Sequence, residues 1–389
     1  MRFLHTADWH VGKRLRGRSR DEETVTALDQ IVEMARDSAV DAVLVAGDIC
    51  EHRTVSPDAD LIVFEALARL RDSGAAVVAI PGNHDSWQRL EALTKLLTPL
   101  GILVVPRVLR PREGGVLEVP GRDGREAALV ACIPFVPERR FGDAAALFDD
   151  RASAYTAYDE GMGAVIAGMA RAFRTDRVNV LVAHVMIDGA KIGGGEQELS
   201  IGMAYAVSPT RLPATATYAA LGHLHRPQVV RRAPCPARFA GSLIQLDFGE
   251  VDQDKSVVLV EAKAGKPAKA QELPLSAGRR LLDVSGTLDD VLSMGDTAGD
   301  AYLRVRVKTE GPVPGIADRV REVLPNAVVV ELDYERIRHD RPEGGVRTLH
   351  PRDQFFHYYQ HAHGADPDPG LMAAFDHLYT EIAEGDGSA

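Results

Sequence analysis

The sequence predicts an α/β protein: two packed sheets with outer helices, then a small α+β module and a C-terminal helical segment. Three observations carry that prediction. Residues 2–80 alternate short apolar strands with amphipathic helices, which implies a parallel sheet with right-handed crossovers. From about Gly101 short strands dominate, with one longer helical stretch. After a segment rich in Ala, Lys, Pro and Gly, strand and helix alternate once more before an aromatic tail.

Arg2–Ala7 reads as a buried strand. Ser19 and Glu22 are spaced as a capping box. The helix they open carries Val25, Leu28, Val32 and Ala35 at helical spacing. Asp41–Ala46 is the second strand. Ser56-Pro57 reads as an N-cap followed by proline at the first helical position, with Gly74 as the stop. Ala76–Ile80 is the third strand. Val116–Val119, Ala127–Ile133, Val178–Ala183, Tyr218–Leu221 and Lys255–Glu261 are predicted strands, and Tyr158–Phe173 a helix. Ala262–Ser276 is read as a domain boundary. Residues 279–336 follow the order strand, helix, strand, helix, strand. Asp340–Gly345 reads as a polar linker, and Pro351–Glu384 as helical, with Phe355, Phe356, Tyr358, Tyr359, Phe375 and Tyr379. The expected domains are thus a core over 1–265, a module over 277–338 and a helical segment over 346–384.

The 389 residues, 45% of them hydrophobic, suffice for two or three domains with a sizeable core. No run of eighteen or more apolar residues suggests a membrane span. The first motif begins so early that a signal peptide is not expected. Three cysteines without CxxC spacing suit a reduced, cytoplasmic protein. A net charge of −11 argues against broad non-specific binding of nucleic acid, so any nuclease reading needs local positive potential.

The chemistry lies in five short motifs, each at the end of a predicted strand. They are Asp8-Trp9-His10, Gly47-Asp48, Gly82-Asn83-His84-Asp85, Ala183-His184 and Gly222-His223-Leu224-His225. In open α/β sheets ligands gather beyond the carboxyl ends of strands. In extended backbone residues i and i+2 face one way, so Asp8 with His10, and His223 with His225, are expected to project together. The set supplies donors for two metal ions sharing one carboxylate, with Asp48 as the candidate bridge. Mixed Asp, His and Asn donors suit Mn²⁺, Fe²⁺ or Zn²⁺ better than Mg²⁺. His84, beside a ligand, is placed to assist a leaving oxygen. Such a pair of ions is suited to attack on phosphate esters.

At these residues the chain resembles the calcineurin-like metallophosphoesterases. More narrowly, His5-Thr6-Ala7-Asp8-Trp9-His10-Val11-Gly12-Lys13 and the stretch Gly241–Glu250 resemble the SbcD family, nuclease subunits of bacterial SbcC–SbcD complexes. The resemblance implies a four-layer α/β/β/α sandwich with a small α+β capping domain and C-terminal helices. It implies two ions, usually Mn²⁺: Asp8, His10, Asp48 and His225 on the first, and Asp48, Asn83, His184 and His223 on the second. His84 would match the family's catalytic histidine. The family degrades DNA 3′ to 5′ from ends and nicks hairpins in repair and recombination. It acts in the cytoplasm, at the nucleoid, with the ATP-driven coiled-coil protein SbcC as a heterotetramer, and dimerises through the nuclease core. Related archaeal and eukaryotic nucleases carry a histidine three residues after the bridging aspartate; this chain has Glu51 there, with His52 next.

Lys13, Arg14, Arg16, Arg18 and Arg20 crowd the loop after His10; Lys13, Arg14, Arg16 and Arg18 are the candidate DNA-binding residues, against a simply solvated loop. The aromatic tail is expected to dock a partner, against packing on the chain's own domains. Cys50 reads as a small buried residue beneath the site. Two rival functions stay open: a metallophosphoesterase of small phosphodiesters, and a non-catalytic DNA-end scaffold.

Overall fold

The computed structural model describes residues 1–137, 151–194, 206–294, 298–334 and 350–385. The chain divides into two compact units. One comprises Met1–Asp283, Ala298–Arg304 and Asn326–Val329; the other comprises Val284–Thr297, Val305–Pro325 and Val330–Ala389.

The first unit holds two six-stranded sheets. In one, the order is β16 (Lys266–Pro274), β15 (Ser256–Lys263), β1 (Arg2–Thr6), β4 (Ala42–Ala46), β5 (Ala76–Ile80) and β6 (Ile102–Val104). β1, β4, β5 and β6 run parallel, while β15 and β16 are antiparallel additions. In the other, the order is β13 (Gln228–Val229), β14 (Ala237–Phe239), β12 (Tyr218–Gly222), β9 (Val178–His184), β8 (Ala127–Ile133) and β7 (Val116–Pro120). β2 (Arg14–Leu15) and β3 (Arg18–Ser19) form a small hairpin, and β10 (Met186–Ile187) pairs with β11 (Ala206–Val207).

The strand period of two divides each sheet into two apolar faces. Phe3, Leu44, Ala46, Val78 and Ile80 meet Val130, Cys132, Val180, Val182 and Tyr218 between the sheets. Leu4, Val43, Val45 and Val77 face the other way, onto Ala27, Ile31, Ala35, Val63, Leu67 and Leu70 from α1 (Asp21–Asp37) and α2 (Pro57–Asp72). On the far side Tyr158, Met162, Ile166 and Met169 of α4 (Arg151–Ala170) cover Ala131, Leu181, Ala219 and Leu221. Four layers, α/β/β/α, result. α3 (Trp87–Leu97) starts at Ser86, whose side chain accepts from Arg89 N.

Several local expectations change. Ser19 does not cap α1: its hydroxyl donates to Asp21, while the Asp21 carboxylate accepts from Gly12 N. Val25 is exposed, and Thr24, Ala27 and Ile31 face the core instead. The boundary expected at Ala262–Ser276 is a hairpin, with β16 as an edge strand. Its prolines and lysines resemble linker composition because they suit an exposed edge, where a ladder donor is dispensable and charge blocks further pairing. β6, only three residues long, gives too short an apolar run to be legible in the sequence.

Leu281–Gly286, Tyr302–Lys308 and Ala327–Asp333 form a three-stranded sheet in that order. In the second unit the helix Leu288–Leu292 opens on a capping box between Thr287 and Asp290, and Ile316–Val323 is the second helix of the module. The linker expected at Asp340–Gly345 lies outside the described residues. The tail is two helices, Pro351–His363 and Pro369–Gly385. Phe355 stacks on Phe375 at 4.3 Å between ring centres, while Tyr358 stays exposed. Among the described residues no helix is long and apolar enough to cross a membrane.

Candidate metal centre

All five motifs leave the carboxyl ends of parallel strands: β1, β4, β5, β9 and β12. The structure brings Asp8, His10, Asp48, Asn83, His184, His223 and His225 together there. The expected route, an extended backbone aiming residues i and i+2 at one ion, is not how they converge. β1 stops at Thr6 and β12 at Gly222, and Asp8, His10, Asp48 and His223 all have positive φ, of 50°, 48°, 48° and 109°. Asp and His tolerate this region better than most residues, yet each position still costs on the order of 1–3 kcal/mol. Among the described residues, four of the seven non-glycine residues with positive φ are candidate ligands. The turns are held by Asp8 N donating to Gly47 O at 2.9 Å and His10 N to Asp48 O at 3.0 Å. Gly47 (φ 95°) is required twice over, because a Cβ there would collide with the His184 ring.

Two clusters form around Asp48. In the first, His10 Nε2 lies 3.1 Å from His225 Nε2 and 3.8 Å from Asp48 Oδ2, with Asp8 within ligand range. In the second, His184 Nε2 lies 3.0 Å from Asn83 Oδ1, 3.3 Å from Asp48 Oδ2 and 3.3 Å from His223 Nδ1. His223 Nδ1 is 2.9 Å from Asn83 Oδ1. His223 and His225 thus serve different clusters despite their i, i+2 spacing. The Asp48 carboxylate stands between the two.

The tautomers decide what this pocket can hold. His10 Nδ1 donates to Glu51 at 2.7 Å, His225 Nδ1 to Glu250 at 2.8 Å, and His184 Nδ1 to Ala46 O at 2.8 Å. A neutral imidazole has one N–H, so Nε2 of neutral His10 is left as a lone pair, whereas His184, made cationic by Asp48 and Asp8, also carries a proton on Nε2, facing Asn83 Oδ1 and Asp48 Oδ2. These nitrogens and the carboxylate oxygens converge in a site that is almost wholly buried. Such a convergence needs positive charge among the donors, supplied by a proton or by a metal ion that displaces it. The donor set therefore fits divalent ions of the borderline class.

The protonation balance agrees. Burial holds His10 down at about 4 and His223 at about 3. Burial also opposes charge on His184, but Asp48 and Asp8 lift it to about 9. Burial pushes Asp8 up to about 6, whereas the surrounding histidines overcome burial at Asp48 and hold it well below the carboxylate range. The carboxylates call for positive charge, which in the metal-free site falls on His184.

Three acidic residues without an assigned role prove structural to the site. Glu51 accepts from His10 and also from Lys13 at 2.8 Å; burial would raise it, but these partners bring it to about 2. Fully buried Glu250 accepts from His225, from Leu246 N at 3.0 Å and from Lys255 Nζ at 2.7 Å. Asp85 accepts from Ile49 N, Cys50 N and Gly82 N at 3.1, 2.9 and 2.9 Å, stapling two ligand loops together. Glu250 closes the Gly241–Glu250 stretch and Asp85 closes the Gly82–Asp85 motif, so the sequence signals their neighbourhood but not their burial.

His84 donates its backbone N–H to Asp48 Oδ1 at 2.8 Å and Nδ1–H to Glu51 O at 2.7 Å. Its Nε2 is left as an acceptor or, once protonated, a donor. Cys50 is buried, its thiol pushed up to about 12 by burial. His52 is exposed and outside the cluster.

The calcineurin-like phosphoesterase family profile matches residues 1–135, and that of the type 5 capsule protein repressor C-terminal domain matches residues 278–363. A Bacillus subtilis protein, named as the SbcD component of the nuclease SbcCD, is 34% identical over 396 aligned residues, covering 99% of this chain and 100% of that protein. The chain belongs to the SbcD family. SbcD relatives of the same name from Rhodobacter capsulatus (31% identical, 84% of this chain and 85% of theirs) and Escherichia coli K12 (27%, 88% and 86%) agree.

In this SbcD-family chain the basic loop after His10 is only partly available. Lys13 is engaged by Glu51. Arg18 donates to Asn326 and lies over the Tyr302 ring at 5.6 Å. Arg20 is fully buried and pairs with Glu23. Arg14 and Arg16 remain exposed.

Proposed function

We infer that this chain is a two-metal phosphodiesterase acting on DNA, the nuclease component of a complex with an SbcC-type ATPase. The observation that carries the reading is the set of histidine nitrogens and carboxylates converging on both sides of Asp48. Asp8, His10, Asp48 and His225 would hold one ion, and Asp48, Asn83, His184 and His223 the other; the donors suit Mn²⁺, Fe²⁺ or Zn²⁺, and the family resemblance favours Mn²⁺. Bound divalent ions supply Lewis acidity toward a phosphodiester and neutralise its charge.

The chain's own residues do the rest. Glu51 and Glu250 keep His10 and His225 in the tautomer that aims Nε2 inward. Asp48, held by the His84 N–H, keeps its other oxygen directed between the clusters. His84 is oriented through Nδ1, leaving Nε2 to give a proton to the departing sugar oxygen. The relatives' names support nuclease chemistry and a two-protein complex. The finer reading is 3′ to 5′ degradation from DNA ends with endonuclease action at hairpins, by a core of residues 1–265 that dimerises. The module over 277–338 is then its cap, and the segment over 346–384 the dock for the ATPase.

The test is digestion of end-labelled linear duplex with Mn²⁺, with and without the ATPase protein and ATP. Shortening from the 3′ ends that EDTA abolishes is expected. Hydrolysis of a phenyl phosphodiester with no action on DNA under any of these conditions would replace this reading by that of a small-molecule phosphodiesterase.

A further inference from the structure

An acidic nuclease needs local positive charge, and the loop after His10 supplies little of it. A cleft of about 780 Å³, lined by residues that follow His184 and His225 in the chain, supplies more. Its walls directly continue two ligand-bearing segments. One runs on from His184 through β10 to Asp188 and Lys191; the other runs on from His225 through Arg226 and β13 to Arg231 and Arg232. Gln228 ties the walls together: its Oε1 accepts from Lys191 N at 2.9 Å, and its Nε2 donates to Lys191 O at 2.7 Å and to Arg226 O at 3.2 Å.

The charge of this cleft opposes that of the whole chain. Four cations, Lys191, Arg226, Arg231 and Arg232, line it against one acid, Asp188, in a protein of net charge −11. Lys191, Arg231 and Arg232 are exposed and Arg226 half-buried. Among the described residues no ion pair engages any of the four, unlike Lys13 and Arg20. Guanidinium groups suit phosphate oxygens through their forked donors.

The geometry points to this cleft as the seat of the phosphodiester backbone of the DNA strand entering the metal centre, with Lys191, Arg226, Arg231 and Arg232 as phosphate-holding residues. The assignment rests on the nuclease reading above. Arg226 follows ligand His225 directly in the chain, so one wall of the cleft starts from a ligand-bearing segment and runs along β13 away from the carboxyl ends of the strands.

The test uses the full chain and a labelled duplex of about 30 base pairs in EDTA, with anisotropy read between about 50 and 200 mM salt. The variant carries Lys191→Gln, Arg231→Gln and Arg232→Asn; asparagine is chosen because Arg232 has φ 64°. Expected are an unchanged melting temperature, binding weakened at least ~10-fold at about 0.1 M salt, and a log–log salt slope shallower by about 2–3. A second variant, Arg14→Gln with Arg16→Asn, should weaken binding less. Unchanged affinity and slope in the cleft variant, or a larger loss in the second variant, would overturn the assignment while leaving the nuclease reading intact. A wild-type chain that binds no DNA would overturn the cleft assignment, while the nuclease reading is decided separately by the digestion with the ATPase protein.

Discussion

His10 Nε2 and His225 Nε2 face one another at 3.1 Å, with Glu51 behind one ring and Glu250 behind the other. Glu51 and Glu250 hold both protons on the far nitrogens. A cation between or beside the rings would make the contact favourable, so the two glutamates behind it belong to the proposed metal centre.

Glu250 gives the first prediction. Replacing it alone by Gln removes the counter-charge of the buried Lys255 ammonium, whose side chain is 4% exposed and which keeps the neutral acceptors His225 O and Gln253 Oε1, at a cost of up to about 3–5 kcal/mol. Combining Glu250→Gln with Lys255→Met should recover most of that stability. Mn²⁺ affinity should still fall about 10–100-fold. Calorimetric titration of Mn²⁺ into both variants, with melts in EDTA, checks this; wild-type affinity in the double variant would show that the carboxylate is dispensable.

Asp85 gives the second. Asp85→Ala leaves three buried N–H groups without acceptors, each worth about 1–3 kcal/mol. Chemical denaturation should show a loss on the order of 3 kcal/mol or more, and Mn²⁺ binding should weaken because the loops bearing Asp48 and Asn83 are no longer stapled together. A loss under about 1 kcal/mol would mean that water replaces the carboxylate.

His5 sets a pH dependence. Its ring is fully buried, with Nε2 donating to Leu221 O and Nδ1 accepting from Tyr218 OH. Burial lowers it to about 3 from the ordinary 6.5. The unfolded chain therefore binds a proton that the folded chain refuses between those values, and stability falls as pH drops below 6.5. The slope is about 1.4 kcal/mol per unit for this one group, and roughly 5 kcal/mol in all. Urea midpoints of EDTA-treated protein at several pH values from 7 to 4 should show a shallower decline in His5→Gln, by about one proton. Parallel declines in the two proteins would contradict this account.

His84→Ser should lower the cleavage rate about 10²–10⁴-fold while metal content by atomic emission stays at the wild-type value, because the link to Asp48 runs through the backbone N–H. Full cleavage by the variant would remove His84 from the reaction.

Deletion of residues 346–389 should abolish co-purification with the ATPase protein and spare Mn²⁺-dependent hydrolysis. The stacked Phe355 and Phe375 rings pack within the helical pair itself, so the core does not need them. Aggregation of the truncated chain would instead assign those aromatics to the protein's own fold.

Much of this protein was written in its linear pattern. Alternating strands and helices, Ser56-Pro57 and the five motifs located the parallel sheet and the donor residues, because strand period, capping and the carboxyl-end rule act over a few residues. The pattern could not show how the donors converge. Left-handed backbone at Asp8, His10, Asp48 and His223 is imposed by contacts between β1, β4 and β12, not by local preference. Nor could it distinguish Glu51, Glu250 and Asp85 from the many other acidic residues, or separate buried Arg20 from exposed Arg16. Burial and hydrogen-bond partners arise from segments some two hundred residues apart, as between Asp8 and His223. Those partners, set only by packing, determine which nitrogen keeps its proton and which is free to bind a metal.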